Sequence, residues 1–353
     1  MKNLFRKFVF VLILTAAVVF SFNLPVWSQE KVTIKMVSEY NDKHPTVRNG
    51  WFPWIEEVKK KTDGQLEIQF YNPNTLVPAK EVYNSLTAGS VDLGATPQWL
   101  SHGKFPLSEA VSLPMMYNGA EAGSLTIWDL YKTFPEWRQE YKDVKILWQW
   151  TSATVQLHTR KKEIKTLQDL QGMKIIGWGA NGIRIIKALG ANPIELTPHD
   201  TYQALERGMA DGVLCPLAPM RAFKITDAAK SHTIVNVYCD SFYAGMNWNK
   251  WNSLPERFKK LLEETTGRDM AQISGRTLDE GTIADVKWMK DQGHTFYLLP
   301  PNEKERWKEK LRPMGEEWIK KMEEKGYKSA SSIRDTVVRL GKEYSEKTTG
   351  GYK

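Results

Sequence analysis

Residues 166–215 read TLQDLQGMKIIGWGANGIRIIKALGANPIELTPHDTYQALERGMADGVLC, and their rhythm decides the fold. Residues 173–176 predict a strand, 183–189 a short helix, 193–196 a second strand and 200–207 a longer helix, after which Gly208 leads to a third strand from Gly212. Alternation of this kind requires right-handed crossovers and a largely parallel sheet, whose ligands bind beyond the carboxyl ends of the strands. The loops at 177–182, at 197–200 and around Cys215 are therefore expected to face a cleft.

The same rhythm recurs upstream. VTIKMVSEY alternates apolar and polar side chains and predicts a strand ending near Glu39; residues 45–61 then predict a helix kinked at Pro53 and closed by Thr62-Asp63-Gly64. The strand QLEIQFY, a helix over 79–88 and the strand VDLGATP follow, so the N-terminal half builds its own α/β unit. A helical segment over 121–141 and the strand VKILWQW lead into a second unit near residues 151–155. HTIVNVYCD and SFYAGMNWNKW predict two consecutive strands, the second crossing back. Beyond Leu254 the chain reads as helical over 255–266, 270–292, 302–325 with a break at Pro313, and 333–347. The segment 270–292 is long enough to bridge two units.

The N-terminus predicts the compartment. Lys2, Arg6 and Lys7 precede an apolar run over 8–20, and Val26 and Ser28 suit the small-residue positions before a cut at Gln29, so residues 1–28 read as a cleavable secretory signal. No cysteine follows the run to carry a lipid anchor, and Arg6-Lys7 is not a twin-arginine pair. The mature chain is expected to be soluble and periplasmic, since no later stretch has the apolar length of a membrane helix.

Removing residues 1–28, which carry three basic and no acidic side chains, takes the formal charge from +8 to +5. Basic residues interleave with acidic ones, as over 302–325, which marks exposed helical faces and argues against a nucleic-acid partner. About 325 mature residues exceed one core, so two domains are expected. Cys215 and Cys239 leave two readings open, one disulfide or two separate buried thiols.

Catalytic and cofactor motifs are weak. Gly177-Trp178-Gly179-Ala180-Asn181-Gly182 matches GxGxxG, but its helix is short and the unit lies mid-chain in an exported protein. We read these glycines as a ligand-proximal turn at a helix N-terminus, and we expect no cofactor. GxSxG, HExxH and CxxC are absent, and the six histidines lack metal-ligand spacing, so no metal and no enzyme activity are expected. Tyr40, Trp99, Trp150, Trp178 and Phe242 all fall at or near strand ends, where they would wall a pocket suited to apolar or cationic groups.

His44-Pro45, TDGQLEIQFYNPNTL, LTAGSVDLG, VSLPMMY, TLQDLQGMKI, ALGANPIELTPHDTYQALERGMADGV and MNWNKWNSLP, taken in order, cover nearly the whole mature chain. This ordered set resembles the solute-binding proteins of TRAP (tripartite ATP-independent periplasmic) transporters of the dicarboxylate type. The resemblance implies an α/β, two-lobed periplasmic binding protein fold, each lobe a mostly parallel sheet flanked by helices, with a long inter-lobe helix and a helical C-terminus. It implies residues 29–152 plus 242–282 as lobe I, 153–241 plus 283–325 as lobe II, and 326–353 as a helical tail that braces the lobes or pairs two copies. The implied partners are a small organic solute and the small and large TRAP membrane subunits.

Carboxylate-binding members of this family carry an arginine directly after Gly-x-Lys-Ile, because a guanidinium grips a carboxylate through two parallel hydrogen bonds. Here Gly172-Met173-Lys174-Ile175 is followed by Ile176. A second basic ligand position falls near Gln156, and the family's asparagine after Asp-Gly falls near Cys215. Arg160, Arg184 and Arg221 are the candidates to replace the clamp, and Glu39 brings a negative charge to the end of the first strand. The expected ligand-binding residues are Glu39, Tyr40, Gln98, Trp99, Trp150, Gln156, Ile176, Trp178, Arg184, Cys215 and Phe242. Two ligand classes follow: an organic acid held by a relocated arginine, or a neutral or cationic solute held by the aromatic side chains and Glu39.

Overall fold

The computed structural model describes residues 31–101 and 103–352. The expected signal peptide at 1–28 lies outside the described residues. Strands β1 (Val32–Ser38), β2 (Leu66–Tyr71), β3 (Leu93–Pro97), β4 (Val144–Thr151) and β10 (Ser241–Asn247) form one sheet in the order β2-β1-β3-β10-β4. Strands β5 (Val155–Thr159), β6 (Lys174–Gly177), β7 (Asn192–Glu195), β8 (Gly212–Pro216), β9 (Ser231–Ile234) and β11 (Thr295–Leu298) form a second in the order β11-β9-β5-β8-β6-β7. The helices of seven or more residues are α1 (Phe52–Lys61), α2 (Val82–Ala88), α3 (Ala120–Thr133), α4 (Gly179–Ala188), α5 (Pro198–Glu206), α6 (Glu256–Thr265), α7 (Arg268–Asp291), α8 (Pro301–Glu324) and α9 (Ala330–Lys347).

The sheets are mixed where the sequence predicts mostly parallel ones. β1 is parallel to β2 and β3, but β10 runs antiparallel to β3 and β4. In the second sheet β6 is parallel to β7 and β8, while β5 runs antiparallel to β8 and β9. The cause is the crossing of the chain. β5 arrives from the first sheet and β10 from the second, so each enters its sheet at the carboxyl edge and must run backwards. The strand read over HTIVNVYCD ends at Ile234, because Asn236 adopts a left-handed φ of 58° and leaves the ladder. β11 lies between two long helices and was not legible as a strand.

Two expected helix irregularities resolve differently. Pro53 does not kink a helix; residues Val47–Trp51 form a π-helical turn and Pro53 sits in the first turn of α1, where its missing N–H has no intrahelical acceptor to lose. Pro313 does not break α8, which runs continuously through it. An interior proline costs about 3 kcal/mol, and packing on both sides offsets it. Trp307, Leu311 and Met314 enter the core beneath the second sheet, while Trp318 and Met322 enter the core beneath the first. The C-terminal part of α8 thus packs with the first sheet, although the sequence reading groups 283–325 with the second lobe.

α7 also touches both halves, with Met270 and Leu278 in a first-sheet core and Val286 and Met289 in a second-sheet core. It crosses α3 closely at Gly275, where a Cβ would lie 2.6 Å from Glu121 Cα and 2.7 Å from Ala120 O. Alanine is the better helix former by about 1 kcal/mol, yet backbone contact at this distance forces the helices apart. Gly275→Ala is therefore expected to destabilise by about 1–3 kcal/mol, read as a lower urea midpoint; a stabilised variant would contradict this crossing.

α9 buries Ile333, Val337 and Leu340 in the same core as Leu125, Ile127 and Leu130 of α3. Past it the chain turns back, and Tyr352 stacks on Phe296 of β11 with centroids 5.8 Å apart.

Candidate functional site

At the carboxyl edge of the first sheet, strand register places Phe242 opposite both Pro97 and Trp150. The Trp150 and Phe242 rings stack at 5.2 Å, and Tyr40, just beyond β1, packs onto Phe242 at 5.4 Å. Trp51 closes the cluster edge-on to Trp150 at 5.2 Å, and His44 stacks on Tyr40 at 3.8 Å. Burial pushes His44 down to about 4, so it stays neutral. Of the expected site residues, Tyr40, Trp150 and Phe242 thus share one aromatic cluster, with Glu39 adjoining it in the chain.

Burial raises the Tyr40 phenol above its ordinary range, and the Asp240 and Glu39 carboxylates add to that effect. Glu39 has a buried oxygen, Oε2, with no hydrogen-bond partner. Burial alone raises its carboxyl above the usual range, and burial alone pushes Asp240 up to about 6. Asp240 was not singled out from the sequence. Its position between two crossing segments and next to an aromatic strand is the signal that marks it.

Gln98 is buried and its amide is engaged within the protein. Its amide donates to the Tyr141 hydroxyl and accepts from Ser241 Oγ, and Tyr141 in turn meets Ser108 Oγ at 2.7 Å. This chain ends on Glu140, which accepts from the Ser108 hydroxyl and backbone N–H and which burial pushes up to about 8. Trp99 is the exposed member of the set, 53% accessible.

The second sheet brings Gln156 and Cys215 opposite one another. Gln156 is fully buried and its amide is fully used. Oε1 accepts from the Val235 and Asn236 N–H groups at 2.8 Å, and Nε2 donates to Asn236 Oδ1 and Thr154 Oγ1. It therefore holds the crossing segment after β9, whose backbone has left the ladder. Ile176 is buried in the core with Cys215. Cys215 and Cys239 are buried free thiols, and burial raises both.

Trp178 packs edge-on to Phe223 and donates from Nε1 to Thr201 Oγ1 at 3.0 Å. The glycine turn starts α4 at Gly179, earlier than the sequence predicts, and Gly177 lets that helix approach the strand: a Cβ there would sit 3.1 Å from the Gly182 carbonyl carbon. Asn181 reaches across to donate to the Ser112 carbonyl.

None of the three candidate arginines joins the aromatic cluster. Arg184 pairs with Glu317 at 3.1 Å on the surface, and Arg221 pairs with Asp285 at 3.3 Å and lies over Trp288. Arg160 follows β5 at the opposite edge, where its N–H bonds the Asp211 carbonyl.

Behind Cys215 runs a chain of three histidines. His158 Nε2 lies 3.0 Å from the Cys215 carbonyl, His158 Nδ1 2.8 Å from His232 Nδ1, His232 Nε2 2.8 Å from His294 Nδ1, and His294 Nε2 3.1 Å from Lys230 Nζ. The Lys230 ammonium can only donate, so each histidine donates onward and the Cys215 carbonyl receives the last hydrogen bond. Burial lowers His158 to about 4 and His232 to about 2. Among the described residues no His, Cys, Asp or Glu group is arranged to hold a metal, and here the ring nitrogens are spent on one another.

The two sheets thus present carboxyl edges joined by crossing segments, with an aromatic cluster on one edge. The family model for bacterial extracellular solute-binding protein, family 7 (DctP), matches residues 37–325. The chain is a member of this family. It is 25% identical over 272 residues to the C4-dicarboxylate-binding periplasmic protein DctP of Rhodobacter capsulatus, covering 76% of this chain and 80% of that one.

Among solved structures, a TRAP periplasmic solute-binding protein of Desulfovibrio salexigens superposes with a TM-score of 0.82 at 26% identity, over 90% of this chain and 98% of that chain. A marine metagenome TRAP solute-binding protein specific for aromatic acid ligands, in complex with 3-hydroxybenzoate, gives 0.80 at 26% identity, over 89% and 99%. The family 7 protein described here is accordingly the periplasmic solute-binding subunit of a TRAP-type transporter, with a two-lobed α/β fold. Proteins of this kind bind solutes and are not enzymes. No helix among the described residues is long and apolar enough to cross a membrane.

Proposed function

We propose that this family 7 protein is exported by a signal at residues 1–28, closes its two lobes over one small organic solute, and hands it to the small and large TRAP membrane subunits as a monomer. The observation that carries this reading is the aromatic cluster of Tyr40, Trp150 and Phe242 at the carboxyl edge of the first sheet, beside the crossing segments. Its aromatic character suits an aromatic or apolar solute body, in keeping with the aromatic-acid specificity of one structural relative. The lobe limits are proposed as 29–152 plus 242–282 and 153–241 plus 283–325, hinged at the crossings, with the last turns of α8 docked against the first lobe through Trp318 and Met322. The monomer is proposed because α9 already spends its apolar face on α3.

The test is a thermal-shift screen of the chain from Gln29, unfolded and refolded to strip carried-over solute. A ligand that binds only the folded state at a hundred times its Kd adds about 2.7 kcal/mol, so a bound solute raises Tm by several degrees. If no organic acid, amine or neutral aromatic compound raises Tm, the capture reading fails.

A further inference from the structure

We infer that a cavity at the amino edge of the second sheet is a second binding site, taking a small oxyanion, a carboxylate or a phosphate, on the guanidinium of Arg160 with Lys161 and Lys230 beside it.

The cavity holds about 490 Å³ and is lined from the turn after β5, the start of β9, α5 and the turn before β11. It lies at the end of the sheet remote from the cleft. β5 runs antiparallel to β8 and β9, so its last residue, Thr159, stands at their amino ends, opposite Gly212 and Ser231. Arg160 N–H bonds the Asp211 carbonyl and Lys230 N–H the Thr159 carbonyl, so neighbouring strands set the three basic side chains around one opening.

Charge carries the argument. The exposed Arg184, Arg221, Arg268, Arg276 and Arg306 all pair with carboxylates. Arg160 is less accessible than any of them, yet among the described residues neither it nor Lys161 has a carboxylate partner or a side-chain hydrogen bond. A guanidinium partly withdrawn from water needs acceptors, and its planar fork matches the paired oxygens of a carboxylate or phosphate. Its seat is prepared by Gly208, which adopts a left-handed φ of 72° at the end of α5 and where a Cβ would lie 3.1 Å from Arg160 Nη1.

The acids of the cavity do not supply the missing partner. Glu206 accepts from the Tyr202 hydroxyl at 2.7 Å and Asp227 from the Thr226 hydroxyl at 3.5 Å, and among the described residues neither is ion-paired. Three cations against these two carboxylates leave the lining positive. Lys230 spends one of its three N–H donors on His294 Nε2 and keeps two. It is also the outer end of the histidine chain, so an anion drawn to its ammonium is sensed at His294.

The probes are inorganic phosphate and succinate, titrated at constant ionic strength into the chain from Gln29 and followed by calorimetry and by the imidazole NMR signals. At least one is expected to bind and to shift the His294 signals. Arg160→Gln is expected to weaken that binding about tenfold, the scale of one lost charge-assisted fork, and to remove the histidine shifts. Arg160→Lys keeps the charge without the fork and should fall between. Arg334→Gln removes an arginine paired with Asp335 on α9 and should change neither readout. The Arg160 side chain has no partner to lose, so its variants should keep the parent's Tm in the absence of probe.

Binding that Arg160→Gln leaves unchanged, or that moves no histidine signal, would overturn the inference and place the anion elsewhere, the solute cleft included. Vesicles of phosphatidylcholine with and without phosphatidylglycerol separate two sources of phosphate: co-sedimentation with the anionic vesicles that requires Arg160 assigns the oxyanion to a lipid headgroup, and binding of a free probe alone assigns it to a small molecule. No binding by either probe or by the anionic vesicles would overturn the site, and would leave solute capture in the cleft untouched.

Discussion

Asp279→Ala is expected to lower the stability of this protein by about 2–6 kcal/mol, the range set by two buried donors left without acceptors at roughly 1–3 kcal/mol each. The first turn of α3 has exposed N–H groups like any helix start, but the preceding residue is Gly119, which offers no side chain to cap them. Asp279 of α7 serves instead, accepting from Ala120 N–H at 2.8 Å and Glu121 N–H at 2.9 Å. A Cβ at residue 119 would lie 2.7 Å from that carboxylate, so the glycine and the distant cap require each other.

Asp279→Asn keeps one acceptor and is expected to cost about half as much, by the same accounting per donor. Burial pushes Asp279 up to about 7 despite its two hydrogen bonds. A carboxyl raised in the folded state favours folding most when protonated, and that contribution is lost as pH rises through about 7. The margin of the parent over Asp279→Asn should therefore widen as pH falls below 7. Urea titrations of the three proteins at two pH values decide this, and an alanine variant within about 0.5 kcal/mol of the parent, the usual span of surface substitutions, would remove the cap from the account.

The second large effect is expected in acid. His158 and His232 are neutral in the folded chain, at about 4 and about 2, and take up a proton near 6.5 once unfolded. Groups depressed in this way are no burden above pH 6.5 and cost stability progressively as pH falls below it. The loss is about 1.4 kcal/mol per pH unit for each histidine, or about 3 kcal/mol for one of them by pH 4.5. The geometry gives the reason, since a second N–H on any ring would face the N–H of its neighbour.

His158→Gln supplies a donor for the Cys215 carbonyl and an acceptor for His232 without titrating. Its stability should fall less steeply than the parent's between pH 6.5 and 4.5, by about one proton's worth of slope. Comparing the two proteins cancels the opposing contribution of Asp240 and Glu140, which are raised and so gain in acid. Parallel curves would show that His158 is not held neutral.

The rhythm of residues 166–215 was enough to place β6, α4, β7, α5 and β8 within a few residues, because period and turn chemistry are local properties. Sheet direction was less legible. Whether SFYAGMN pairs parallel or antiparallel depends on which edge the chain enters by, and that is set by the crossing at 235–240. That Tyr40, Trp150 and Phe242 would come together was readable from strand ends alone. The internal bonding of Gln98 and Gln156 was not, since an amide at a strand end looks the same in sequence whichever polar groups it will satisfy. Pro313 misled for a related reason: its local cost was visible, while the tryptophans on either side that outweigh it belong to different cores.

The crossings described above have a consequence for anyone cutting or recombining this gene. Neither sheet is encoded in one stretch: the first needs residues 32–151 and 241–247, the second 155–234 and 295–298, and α7, α8 and the Tyr352 stack tie them again. No single cut of the chain yields two pieces that each contain a whole sheet. A chimera that exchanges one lobe with a relative must splice at several joints at once, and a protease nick at any one joint should leave the two pieces associated.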